Sequence, residues 1–337
     1  MSPGTITITG TGSYLPATRL DIADAATRYN GDGDRIRETG YATVCAEDTL
    51  YPADMALVSA RKALDAAHLE PGRLDLLVVT AIHRHGHKRL WSPASWLQSQ
   101  LGCAQALPLT VNQGCNGQML ALDLAAGFLQ GKRQGNVLVV AADQFASSGF
   151  DRFTADYGIV YGDAAAAAVL STGHDTGGWR VLARHTVSAP ELEGLHRGDA
   201  PAPERPELLA AEHDVRAAKK RFLTAHGKDR LRDSTRAAVR EIRTALLPDG
   251  DDPRLRRIVY PNLGLPLLTE NYFPEFPGGA ERSLWDFGRT VGHLGSGDQI
   301  AGLDHLAAHT HLTTGDRVLL LGAGAGFTWT GALLERD

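Results

Sequence analysis

Short apolar runs rich in β-branched residues recur along the chain, separated by stretches whose apolar positions repeat at helical spacing. TITITG (5–10), LDLLVVTAI (74–82), NVLVVAA (136–142), AAAAAVLS (164–171), RRIVYPN (256–262) and DRVLLLGAG (316–324) read as buried strands. ADMALVSARKALDAAHL (53–69), GQMLALDLAAGFLQGKRQ (117–134) and DSTRAAVREIRTALL (233–247) read as helices. Strand and helix alternate, which predicts an α/β fold with helices sandwiching sheets. The turn-rich STGHDTGGW (171–179) breaks the chain near its middle and divides it into halves 1–172 and 173–337. APAPERPE (200–207) reads as a proline-rich surface loop. Each half closes on glycine and small residues running into an apolar strand, YGDAAAAAVL at 161–170 and GAGAGFTWTGALLE at 322–335, a hint of internal duplication.

Composition narrows the class. With 337 residues, 43% of them hydrophobic, the chain has enough material for a large core without staples. A formal net charge of -5 gives no general attraction to nucleic acid or to an anionic membrane. Cys45, Cys103 and Cys115 form no C-x-x-C pair and are too few for a disulfide framework, which fits a reducing cytoplasm. The first residues lack the profile of a secretion signal, and no long uncharged apolar run offers a membrane span.

Candidate chemistry centres on LTVNQGCNGQMLALDLAAGFLQ (109–130), where a β-leaning run enters a Gly-Cys-Asn-Gly turn and leaves as a helix. Cys115 would sit at a strand-to-helix elbow, where unpaired N–H groups and the positive end of the helix dipole stabilise a thiolate or an oxyanion. Flanking glycines permit a tight turn and close approach by a substrate. The pattern by itself leaves a buried structural cysteine open as the alternative.

The same segment resembles the nucleophile region of ketoacyl-ACP synthase III and its relatives in the thiolase superfamily. GTGSYLP (10–16), RETGYATV (37–44), SPASWLQSQLG (92–102), YGDAAAAAVL and GDRVLLLGAGAGFTWTGALLE resemble further family segments in the same order. The resemblance implies a thiolase fold, a duplicated five-layered α-β-α-β-α sandwich, and a homodimer. It also implies Cys115 as nucleophile, with oxyanion donors from the backbone of Cys115 and of the turn at Ala325 and Gly326.

Condensing members of that family carry a histidine in a Pro-His-Gln-Ala-Asn string and an asparagine in a Gly-Asn-Thr-Ser string. Here VYPNLGLP (259–266) places Asn262 at the first position, and RTVGHLGSGDQIAGL (289–303) places His293 at the second. One imidazole suffices to activate a thiol and then an acceptor, provided a third group orients it. His293 is therefore the expected base, with Asn262 or Asp298 fixing its tautomer. Asp298, placed after Gly-Ser-Gly, reads first as a helix cap.

Because the usual pair of enolate donors is not in its usual places, acyl transfer is the expected reaction rather than carbon–carbon bond formation. The donor would be an acyl carrier protein or CoA thioester, with no cofactor beyond it. The acceptor would be a hydroxyl, an amine or a second carrier, in a secondary-metabolite pathway such as that of a polyketide. The alternatives are a decarboxylative condensing enzyme and a non-catalytic partner subunit.

Lys219, Lys220 and Arg221, in the basic run RAAKKRFLTAHGKDRLR (216–232), are candidates for CoA phosphates or an acidic carrier face, against a plain solvated helix. Trp91 and Trp96 are candidates for the acyl pocket, against core packing. His83, His85 and His87 alternate as metal ligands on a strand would, but interleaved Arg84, Lys88 and Arg89 favour a loop without metal.

Overall fold

A computed structural model describes residues 4–82, 88, 90–145, 150–173, 177–198 and 214–337. Its strands are β1 (Ile6–Tyr14), β2 (Arg19–Asp21), β3 (Thr43–Cys45), β4 (Leu76–Thr80), β5 (Leu107–Val111), β6 (Gly135–Asp143), β7 (Ala164–Thr172), β8 (Trp179–Ser188), β9 (Leu255–Val259), β10 (Arg317–Gly324) and β11 (Thr328–Arg336). All six runs read as strands from the sequence are strands. β5 is the β-leaning run that enters the Cys115 turn, whereas β8 carries no periodic signal because it is half-exposed and mixes polar with apolar positions.

Nine of these strands follow the order β5-β4-β6-β7-β1-β8-β11-β10-β9. The link between β1 and β8 is slender, two residue pairs, Thr7 with Arg180 and Ile8 with Trp179. Two sheet blocks therefore meet at a corner, and each repeats the other's order outward: β1-β7-β6-β4 and β8-β11-β10-β9. In each block the first three strands are antiparallel and the fourth is parallel to the third.

Helices Gly117–Leu129 and Asp298–His309 touch strands of both blocks and form the layer between them. Pro52–Ala66 covers the outer face of the first block, and Arg230–Leu246 that of the second. The result is the α-β-α-β-α sandwich expected. β7 shows the effect of burial on both faces: AAAAAVLST has poor intrinsic strand propensity, yet all nine residues are buried between helical layers that leave room only for small side chains. On Arg230–Leu246 the apolar stripe Ala238, Val239, Ile242 and Leu246 packs into the second block, and truncating Ile242 to alanine would cost about 2–5 kcal/mol. The central helix, expected over 117–134, stops at Leu129 because Gly131 turns the chain with φ +82°.

Candidate active site

β5 and the first central helix put Cys115 where the sequence suggests. Gly114 takes φ +53°, and the helix begins at Gly117 with Asn116 as its N-cap. Cys115 is half-buried, whereas Cys45 and Cys103 are buried. The elbow is braced against the turn that joins β10 to β11. A Cβ on Gly324 would lie 2.3 Å from the Asn116 nitrogen, so only glycine allows this approach, and the Ala325 nitrogen sits beside Gly114. Gln113 Nε2 donates to the Ala325 carbonyl at 3.4 Å. Asn116, fully buried, donates from Nδ2 to Thr328 Oγ1 (3.0 Å) and Thr330 Oγ1 (2.9 Å), tying the elbow to β11.

His293 comes from the loop between helix Trp285–Val291 and helix Asp298–His309. Its backbone pairs with the approach to β7: His293 N donates to Val160 O and Gly162 N to His293 O, both at 2.9 Å. The ring lies against Tyr161, with centroids 5.2 Å apart. Nδ1–H donates to Asp298 Oδ2 at 2.6 Å, and both side chains are 1% exposed. Nε2 has no hydrogen-bond partner of normal geometry within the protein. Cys115, which lines the same cavity, is near enough to act on the ring. Burial pulls the imidazole pKa down, but the Asp298 carboxylate and then the Cys115 sulfur outweigh it and hold His293 well above the usual histidine range.

Of the two orienting candidates, Asp298 is the one bonded to the ring. Asp298 is the first residue of its helix and makes no cap bond; its carboxylate accepts from His293, from Asn262 N (2.8 Å) and from Leu294 N (2.7 Å). Asn262 does not reach the imidazole. Its Nδ2 donates to the Gly292 carbonyl at 3.0 Å, and its Oδ1 faces Gly288. It holds Asp298 through its backbone N–H, while its side chain, a candidate for fixing the His293 tautomer, bonds the loop backbone.

Cys115 and His293 open into a cavity of about 300 Å³. Its walls include Tyr161, Leu223, Leu263, Leu267, Tyr272, Phe327 and Trp329, and its rim includes the exposed Lys228 and Asp229. Three sequence-based assignments change here. Lys219 is buried in the cavity wall and bonds both carboxylate oxygens of Asp156 (2.5 and 2.7 Å), so it is not a surface phosphate ligand; Lys220 and Arg221 are exposed. Trp91 and Trp96 pack on each other, centroids 6.0 Å apart, and Trp96 rests on the core under helix Pro52–Ala66. Neither lines the cavity. His83, His85 and His87, like the 200–207 loop, lie outside the described residues. Among the described residues no group of three or more His, Cys, Asp or Glu could hold a metal ion, and no helix is long and apolar enough to cross a membrane.

Sequence reading missed Asp156, Asn271 and Tyr272. Tyr161 stood in a recognised segment, and its position immediately before Gly162-Asp163 was the available signal. Asp163 itself is structural, accepting from Phe145 N, Glu47 N and the buried Arg152.

Comparison with known proteins agrees with this fold. The family profile for 3-oxoacyl-(acyl-carrier-protein) synthase III matches residues 109–190, and that for its C-terminal part matches 274–336. The solved structure of ChlB3, described as an acyltransferase, superposes with a TM-score of 0.87 at 30% identity and 98% coverage of each chain. A beta-ketoacyl-(acyl-carrier-protein) synthase III of Neisseria meningitidis is 34% identical over 176 residues, 50% of this chain, and the match spans only about half (53%) of that relative. The Aquifex aeolicus enzyme of the same name is 25% identical over 97% of this chain and 98% of its own.

Proposed function

This chain belongs to the 3-oxoacyl-(acyl-carrier-protein) synthase III-like family of the thiolase superfamily, and within it we propose an acyltransferase working through an acyl-Cys115 thioester. The observation that carries the reading is the Asp298–His293 pair, with Nε2 left free in the cavity that Cys115 lines. His293 Nε2 takes the Cys115 proton. The thiolate then attacks the carbonyl of an acyl-pantetheine thioester, and backbone N–H groups at Cys115 and the Ala325–Gly326 turn stabilise the oxyanion. Collapse expels the pantetheine thiolate, which leaves as a thiol with the proton from His293. In the second half-reaction His293 removes a proton from the acceptor hydroxyl, amine or carrier thiol as it attacks the acyl-cysteine, then returns that proton to the departing Cys115 sulfur. Asp298 keeps Nδ1 protonated and stabilises the imidazolium throughout.

Carbon–carbon bond formation after decarboxylation needs two donors at the developing enolate oxygen. Asn262 Nδ2 is engaged with the Gly292 carbonyl and does not line the cavity, which supports simple transfer over condensation. Lys220, Arg221 and Lys228 offer exposed cations to a carrier protein or CoA phosphates. The homodimer is proposed through β5, an edge strand whose Leu107 and Leu109 are 60% and 41% exposed. The experiment that separates the two reactions supplies malonyl and simple acyl thioesters side by side. Acyl transfer without carbon dioxide release from the malonyl donor is the expected result; stoichiometric carbon dioxide would establish condensation instead.

A further inference from the structure

The cavity wall holds a buried ion pair that takes no part in activating the nucleophile as described above. Asp156 and Lys219, each 7% exposed, form a direct ion pair in the wall of the cavity that Cys115 and His293 line. Asp156 is well supplied with donors: Lys219 Nζ bonds both oxygens, Tyr157 N donates to Oδ1 at 2.7 Å, and Tyr161 OH donates to Oδ2 at 3.1 Å. Lys219 makes two bonds to that carboxylate, leaving a third N–H of its ammonium for another acceptor. Across the same cavity Asn271, 8% exposed, donates Nδ2 to the Leu267 carbonyl at 3.0 Å, while its buried Oδ1 has no partner within the protein. Desolvating two charges is costly, and an apolar pair of similar volume would stabilise the fold as well or better. Another buried pair among the described residues, Arg152–Asp163, has a structural outlet: Arg152 also donates to the Cys45 and Tyr161 carbonyls and does not face the cavity. Lys219–Asp156 lines the cavity instead.

We infer that Lys219, held by Asp156, and Asn271 form a polar subsite that selects a hydroxyl-bearing substrate, Lys219 donating to a substrate oxygen and Asn271 Oδ1 accepting from a substrate O–H. This rests on the acyl-transfer reading of the same cavity. An unbranched alkyl substrate leaves a buried donor and acceptor unpaired, and that mismatch is what discriminates against it. Tyr161 connects the subsite to the chemistry, since its hydroxyl bonds Asp156 and its ring packs on His293. The hydroxyl belongs either to the acyl group or to the acceptor, and the two half-reactions separate these.

The test uses matched pairs. Donors are the N-acetylcysteamine thioesters of 3-hydroxybutyrate and butyrate, and of 4-hydroxybenzoate and benzoate; acceptors are methyl glucoside and cyclohexanol. Acylation of Cys115 and transfer from acyl-Cys115 are timed separately in single turnover. Wild type should favour the hydroxylated member by about 10-fold or more in one half-reaction, identifying the source. Lys219→Met/Asp156→Leu, which removes both charges, and Asn271→Leu should erase that preference while unchanged thermal melts show them folded. A preference that survives in the folded variants, or its absence from both half-reactions of wild type, overturns the subsite. Titrating Cys115→Ala protein with the same thioesters by calorimetry reads recognition without chemistry. A hydroxyl preference there, lost in the Lys219→Met/Asp156→Leu background, supports the subsite even if wild type forms no acyl-enzyme and the transfer reading falls.

Discussion

His293 Nδ1 and Asp298 Oδ2 are 2.6 Å apart, two fully buried side chains five residues apart in sequence, joined across the loop that enters a central helix. That contact makes one nitrogen of the imidazole a fixed donor and leaves the other to face a thiol. It also gives Asp298 a task that its position at a helix start conceals. A carboxylate there satisfies the dipole in passing, but its oxygens are spent on Asn262 N, Leu294 N and the ring.

Asp298→Asn keeps the size and loses the charge that stabilises the imidazolium. Turnover should fall by about 10²–10⁴-fold, with a melting point lowered by the loss of a buried acceptor. Asn262→Ala is the contrasting variant. It removes only the bond to the Gly292 carbonyl, costing about 1 kcal/mol of stability, and should leave the chemical step within roughly tenfold of wild type. Steady-state kinetics with thermal melts on both variants check the pair. An Asn262→Ala defect as deep as that of Asp298→Asn would return the asparagine to the reacting centre.

The titration of His293 supplies a second check. Its pKa is raised in the folded protein, so the native state holds this proton more tightly than the unfolded chain does. The stabilisation it contributes is complete below about pH 6.5 and is lost as pH rises through the folded value. Histidine-labelled NMR should find one ring still charged above neutrality. Cys115→Ser should move that ring's titration downward, because the sulfur is among the groups holding the proton on.

The three thiols should separate cleanly under alkylation. Burial pushes Cys45 up to about 11 and also raises Cys103, so both resist iodoacetamide at neutral pH, while half-buried Cys115 is open to the cavity. Peptide mapping should place a single adduct on Cys115, and His293→Ala should slow its formation.

The loop that carries His293 depends on Gly295. With φ +64°, it presses against Asp143, where an added Cβ would lie 2.1 Å from Oδ2. Asp143 in turn accepts from Ser296 N and Ile82 N. Gly295→Ala should destabilise the fold by about 1–3 kcal/mol through strain and displacement, with a larger loss of activity than of stability because His293 moves with the loop. Calorimetric unfolding and turnover on the same preparation separate the two effects.

Much of this was legible in the sequence. Runs of apolar β-branched residues gave the inner strands, and the Gly-Cys-Asn-Gly turn between a strand and a helix gave the elbow. Neither depends on distant contacts. The ambiguity at Asp298 was tertiary, since capping and orienting a ring 2.6 Å away look the same until the loop is folded. Lys219 misled for a related reason: its neighbours Lys220 and Arg221 are exposed, and only helical phase together with Asp156, 63 residues away, turns it inward. Trp91 and Trp96 were drawn toward the pocket by resemblance, whereas local packing at a helix start holds them against each other. Asn271 carried no sequence signal, because its significance lies in one buried, unpaired oxygen on a residue of the cavity wall.

The most direct test of the central claim is intact-protein mass spectrometry of wild type, Cys115→Ala and His293→Ala after mixing with a panel of acyl-CoA and acyl-carrier thioesters. Wild type should gain a single acyl mass that persists until an acceptor is added and then disappears, Cys115→Ala should gain none, and His293→Ala should gain it slowly and release it slowly. An adduct on Cys115→Ala, or no adduct on wild type with any donor, would contradict the acyl-Cys115 route.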